Sequence, residues 1–498
     1  MFTKDVLEEI AQWRSQSTQP HHQLDWRWIE RFRKLSSYDS RWWLTWAGPF
    51  TNEEQTQWDS LITSPLEESI KAQLGLLLKV SRERELTAAI EDQREPQLYY
   101  PAIVIQEIRR RIQEQKELAA EIERDEPNAI VRRLYQGAIA EEIDYLRLIE
   151  ATYERNSERF WECSRRLFPL PTPENMKEAF AYIAQVIQQG QAQPETATTS
   201  QQIQKFLQTL FPEDFFHTEH TEQRLVPLAS SALEERMISA AAAQRFFLAV
   251  LRESGYDGWQ VVLDSNTSSA RVEQAARYVF LPNKQFPLSE IKHLFVHELA
   301  GHVARCVAGE HSALGLLGIH TRNSLPTEEG IALYHERQVL ALHGQKFDDS
   351  GMLLSTFLLG LASGVGVPAQ TFSSLYTFLQ AFTLLSYHLS YPEADTRTTQ
   401  QYAQSYALDI CLRVYRGVPD LTRPGVCYLQ DAVHLYGLRM VEKAVAEDAR
   451  VLDRLAVGVC ALEDLPDLYE LGITSVPQPL RKLAYTVDLD NYILSFEE

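Results

Sequence analysis

Apolar side chains recur at three- and four-residue steps through long stretches of the first part of this chain. That period commits those stretches to helices. Ala102–Arg124 (AIVIQEIRRRIQEQKELAAEIER) and Ala138–Arg155 carry it most clearly. The first ~190 residues are rich in Glu, Gln, Arg and Leu with few Gly, and read as helical throughout. A polar stretch, Gln188–Gln202 (QQGQAQPETATTSQQ), interrupts the pattern and reads as a linker or long loop. Beyond it, Trp259–Asp264 (WQVVLD) and Tyr278–Leu281 (YVFL) are short β-branched and aromatic runs bounded by turn residues, the signature of strands. After Pro287 helical patterning returns almost to the end, with no internal repeat and no sustained heptads. The expected class is mainly α with a small β-sheet (α+β). A Trp-rich helical region at residues 1–125 precedes a domain over 126–498 that contains the polar stretch at 188–202.

Composition narrows what such a chain can do. With 498 residues it can bury a large core. Its net charge of −20 disfavours nucleic acid and anionic membrane surfaces, both of which need clustered Lys and Arg. The five cysteines (Cys163, Cys306, Cys411, Cys427, Cys460) include no C-x-x-C pair, so neither a disulfide framework nor a cysteine zinc site is expected. The first residues, MFTKDVLEEIAQW, lack the apolar run of a secretion signal, and a cytoplasmic location is expected. Gly351–Pro392 carries no formal charge, but small residues interrupt Met352–Val367 and Pro368 closes it, so buried helices are expected there instead of a membrane span. Seven of the nine tryptophans lie between Trp13 and Trp58, a clustering that core packing of a helical layer accounts for.

The chemistry concentrates after Pro287. In SEIKHLFVHELAGHVARCV, Ile291, Leu294, Phe295, Leu299 and Val303 recur at helical spacing, with Ser289 expected as the N-cap. Within it lies His297-Glu298-Leu299-Ala300-Gly301-His302. Two histidines with a glutamate directly after the first form the core of helical zinc sites that activate water. Histidines four apart lie about 40° from each other around a regular helix, whereas five apart puts them about 140° apart. The two imidazoles can share an ion only if the helix is irregular there, through a π-bulge or an unwinding at Ala300–Gly301. Gly301 makes either cheaper.

A third ligand should come from a neighbouring element and leave one position open for water. Leu325-Pro326-Thr327-Glu328-Glu329-Gly330 supplies it, with Thr327 expected as a helix start and two glutamates following. Acids there could serve only the helix dipole. Together with the histidines upstream they become ligand candidates, Glu329 first and Glu328 in reserve. Glu298 is then the general base.

HELAGH followed by PTEEGIALYHE resembles the family named for its QEGLA motif, which includes the microtubule-associated tyrosine carboxypeptidases. There an HExxxH motif is followed by a TEEGLA or QEGLA segment whose central Glu completes the zinc site. Further similar segments are Arg155–Pro171, Phe286–His302, Arg413–Gly417 (RVYRG) and Tyr428–Leu438 (YLQDAVHLYGL). The resemblance spans roughly residues 130–445. It implies a zincin-like core and one Zn2+ held by His297, His302 and Glu329, with Glu298 as catalytic acid/base. It also implies a metallocarboxypeptidase acting on a peptide or protein C-terminus, Tyr or Phe being the implied residue. Where the family has Lys and Tyr, this chain has Gln430 and His434. Gln430 cannot supply a cation, while His434 can still donate a hydrogen bond to an oxyanion, as Tyr334 or His335 could. A terminal carboxylate needs a cation, for which Arg322, Arg413 and Arg416 are the candidates. Two other readings stand beside this one: a zinc peptidase of other positional specificity, and a non-catalytic helical scaffold that keeps the metal.

Overall fold

A computed structural model describes residues 3–16, 23–36, 44–62, 64, 68–97, 99–100, 105–211, 236–265, 269–274, 276–486 and 488–497. The architecture is mostly helical with small sheets, as the periodicity requires. The first two periodic stretches form the helices Ile105–Asp125 and Ala129–Tyr153, with residues 102–104 of the first outside the described part. Asn128 caps the second by accepting the backbone N–H groups of Ile130 and Val131, which fixes where it starts.

Both expected strands form. Gln260–Asp264 (β1) pairs in parallel with Tyr278–Pro282 (β3), and the short Arg271–Glu273 (β2) lies antiparallel on the other side of β3. This sheet, the helix Ala240–Glu253 and the C-terminal residues Leu480, Leu483, Leu489 and Ile493 share one buried apolar cluster with the helix that carries HELAGH. Val6, Ile10 and Trp13 of the first helix belong to that same cluster.

A second, larger cluster runs from Trp28 to Leu468. It contains the two charge-free helices Ser350–Ser363 and Phe372–Ser390, which pack as core elements. Among the described residues no helix is long and apolar enough to cross a membrane. Trp13, Trp28, Trp46 and Trp58 are buried as expected, whereas Trp26 is exposed; Trp42 and Trp43 lie outside the described residues.

The N-terminal region is joined to the rest through Asp25, which is 1% exposed. Its carboxylate accepts the backbone N–H groups of Gly315 and Leu316, both at 2.9 Å, and the Tyr135 hydroxyl at 2.7 Å. Trp28 donates its indole N–H to Glu126 at 2.6 Å.

Three expectations need correction. The polar stretch 188–202 is not a linker. Its start is the last turn of the helix Pro173–Gln191, its end opens the helix Ala197–Leu210, and only residues 192–196 lie between. Thr196 closes that turn by donating to the Gly190 carbonyl at 2.7 Å. The HELAGH helix begins at Leu288 with Pro287 at the cap position, not at Ser289. The helix carrying Glu329 begins at Ser324 and not at Thr327, because Asn323 ahead of it takes a left-handed conformation (φ 57°). Thr327 then lies inside the helix, where its hydroxyl accepts the Leu462 N–H at 3.1 Å.

All five cysteines are buried and unpaired.

Candidate metal centre

The segment Leu288–Glu310 is one helix with a changed middle: α-helical over Leu288–Leu294, π-helical over Phe295–Val303 and α-helical again over Ala304–Glu310. The π segment carries both histidines. Its i→i+5 hydrogen bonding brings residues five apart onto nearly one face, which is what the spacing of His297 and His302 demands. Their rings stand 5.0 Å apart, centre to centre. Gly301 lets the bulge lie against the neighbouring helix, since a Cβ there would come within 2.9 Å of the Ala332 side chain.

That neighbour is the acidic helix, Ser324–Leu342. It brings Glu329 between the two imidazoles, with His297 Nε2 at 3.5 Å and His302 Nε2 at 3.7 Å from its carboxylate oxygens. One donor atom from each of the three lies within 4.8 Å of the others. A third element, the helix Ala432–Glu447, adds His434, whose Nε2 is 3.6 Å from Glu329. The His434 Nδ1 faces the Asp431 carbonyl at 3.1 Å, which turns Nε2 toward the cluster.

This third helix can approach so closely because two glycines meet at the crossing. A Cβ on Gly330 would collide with the Gly437 carbonyl, and one on Gly437 with the Pro326 carbonyl. Backbone therefore packs on backbone one residue after Glu329.

The electrostatics follow from burial. Desolvation alone would raise the Glu329 carboxyl, but His302, His297 and His434 outweigh it and hold the group far below its ordinary range. Burial opposes charging His297, yet the carboxylates of Glu329 and Glu336 keep its proton well above the usual pH. Glu329 and Glu328 do the same, more weakly, for His302 against its burial. Two imidazoles and a carboxylate converging with their Nε2 and oxygen atoms form a donor set of the kind that suits zinc. Glu298, 7% exposed, sits within the same π segment.

Sequence reasoning missed several groups around this cluster. Glu336 lies seven residues beyond Glu329, on the same face two turns along, and that spacing was the signal available. Its carboxylate contacts His293 Nδ1 at 2.7 Å and His297 Nδ1 at 3.7 Å. Glu328, the reserve ligand, faces the back of His302, with 3.7 Å from its oxygen to Nδ1, and forms a close ion pair with Arg305. Arg305 is itself 3% exposed and donates to the carbonyls of Leu455, Gly458 and Cys460.

The other expected site residues divide. His335 turns away from the cluster: its Nδ1 meets the Tyr485 hydroxyl at 2.8 Å, and burial holds its pKa down to about 3. Tyr334 packs against the larger apolar cluster. Arg413 is committed to Asp431 at 2.9 Å, Arg416 lies over the Tyr428 ring at 6.0 Å, and Arg322 backs onto Gly137. A cavity of about 290 Å³ reaches Glu328 and Gln430, with Ser324, Leu325, Phe168 and His320 among its other walls. None of the three arginines is among the described residues that line it.

A comparison with protein-family models finds no match to this chain, and a comparison with curated proteins finds none either.

Proposed function

We propose that the chain is a zinc-dependent metallopeptidase, in which His297, His302 and Glu329 hold the metal and Glu298 moves the proton. The observation that carries this reading is the π-helical segment. A π-helix is rare, and its local pitch supplies the one irregularity that histidines five apart need in order to converge with Glu329. Bound zinc would polarise the scissile carbonyl and make a nearby water acidic. Glu298, one residue from a ligand, accepts the proton of that water and returns it to the leaving amine. His434 borders the same cluster from the opposite helix and is the donor for the developing oxyanion. With its Nδ1 proton directed at the Asp431 carbonyl, His434 donates from Nε2 only in its doubly protonated form.

A zincin-like core and removal of a C-terminal residue belong to this proposal through the resemblance to the QEGLA-motif family. The terminal carboxylate would need Arg322, Arg413 or Arg416, and Arg413 would first have to release Asp431. The scaffold reading is weaker, because a purely structural zinc site closes with four protein ligands.

The test is mass spectrometry of a mixed peptide library incubated with the zinc-loaded protein beside Glu298→Gln. The expected result is cleavage that Glu298→Gln slows by about 10²- to 10⁴-fold while its zinc content stays at one per chain. Loss of single C-terminal residues, blocked by amidation, would assign the carboxypeptidase mode. Internal cleavage would assign another positional specificity. Iron in place of zinc in the purified protein, or equal turnover in both proteins, would sink the proposal.

A further inference from the structure

Both ligand histidines present Nε2 to Glu329, so in each ring Nδ1 points away from the metal position. Behind each Nδ1 stands a carboxylate at 3.7 Å: Glu336 behind His297 and Glu328 behind His302. These are costly places for anions, since Glu328 is 3% exposed and Glu336 6%. Among the described residues, the facing atoms His297 Nδ1, Glu336 Oε2 and Glu328 Oε2 make no hydrogen bond to any other group. The second oxygen of each carboxylate is engaged from its other side, by His293 Nδ1 at 2.7 Å for Glu336 and by the Arg305 guanidinium for Glu328. Two parallel chains result, one running from His293 through Glu336 to His297 and the other from Arg305 through Glu328 to His302. Both carboxylates come from the same helix as the ligand Glu329, one residue before it and seven after.

We propose that Glu328 and Glu336 are positioning residues for the metal centre. Each accepts the Nδ1 proton of its histidine, which fixes the tautomer with Nε2 bare and sets the plane of the ring. This role rests on the zinc reading above, and it removes Glu328 from the ligand set. An ion pair needed only for folding would not require a carboxylate at the back of each ligand histidine. Nor would it leave those facing atoms without other partners.

Zinc affinity of the full chain, measured by competition with a chromogenic chelator, tests the assignment without depending on turnover. Glu336→Gln keeps an acceptor but loses the charge, whereas Glu336→Leu loses both. Zinc binding should weaken by about 10- to 100-fold across the two, with Leu the worse. Glu328→Gln should weaken it comparably, and the visible spectrum of the Co2+-loaded variants should shift while still reporting three protein ligands. Circular dichroism of the metal-free proteins identifies any variant that has merely misfolded. For that event His293→Ala is the alternative, since it leaves the Glu336 carboxylate in place but unheld and should still loosen zinc measurably. Folded variants that bind zinc as tightly as the parent, with an unchanged cobalt spectrum, overturn the inference and leave the metallopeptidase proposal standing. A parent protein that binds no zinc while remaining folded overturns that proposal, and this inference with it.

Discussion

Glu329 and the two imidazoles hold one another in charged forms when no metal is present, and this sets how metal uptake should depend on pH. Both histidines keep their protons above the ordinary imidazole range. Their contribution to stability is therefore fully present below about pH 6.5 and fades as pH rises through their folded-state values. A metal must displace those protons. Zinc affinity is therefore expected to fall steadily from about pH 8 to about pH 6, with protons released on binding. Calorimetry in buffers of different ionisation enthalpy checks this, and a pH-independent affinity with no proton release would count against the cluster as the binding site. At this scale the sequence was informative where chemistry is local. The three residues whose donor atoms the structure brings together, His297, His302 and Glu329, could be named from spacing and residue type. For Glu336 the seven-residue step gives only the shared face with Glu329, and its contact with His297, like that of Arg305 with Glu328, exists only once two helices pack. His335, legible as an oxyanion donor, is claimed instead by Tyr485 from the far end of the chain.

At the scale of elements, the centre depends on how closely three helices approach. The π segment meets the acidic helix through Gly301, and the acidic helix meets the helix Ala432–Glu447 through Gly330 and Gly437. Gly437→Ala would force a methyl group into the Pro326 carbonyl, so the crossing has to open. Neither a ligand nor Glu298 is altered, yet zinc binding should weaken and stability drop by about 1–3 kcal/mol, the usual cost of overpacking. Chelator competition and denaturant unfolding measure the two effects, and a variant that keeps its affinity would show that the crossing does not set the ligand geometry. The irregular turn at the histidines could be deduced, because no regular helix satisfies a five-residue step. Helix boundaries could not. Thr327 looks like a cap after Pro326, but the left-handed Asn323 starts the helix earlier. The stretch 188–202 looks like a linker because only one member of the buried stripe of the helix Ala197–Leu210, Ser200, falls within it, while Ile203 and Leu207 follow after its end.

The molecule as a whole is tied together across long sequence separations. Asp25 is the clearest tie, a buried carboxylate that satisfies two backbone N–H groups and a tyrosine hydroxyl from far along the chain. Asp25→Ala leaves three buried donors without an acceptor and should cost about 2–5 kcal/mol. The loss is readable as a lower unfolding midpoint with zinc content per folded chain unchanged. A neutral effect would mean the N-terminal region folds independently of the rest. Periodicity could indicate a mainly helical chain, but not that its first helix would share a core with the HELAGH helix, since a cluster assembled from residues so far apart in sequence leaves no periodic trace. The buried thiols give this architecture a clock. A reagent that alkylates cysteine finds none of the five at the surface, so it can mark the chain only as fast as the relevant part opens. Cys306 lies three residues beyond the end of the π segment and Cys163 lies in the other cluster. The order in which the two are modified, with and without metal, records which half of the protein lets go first.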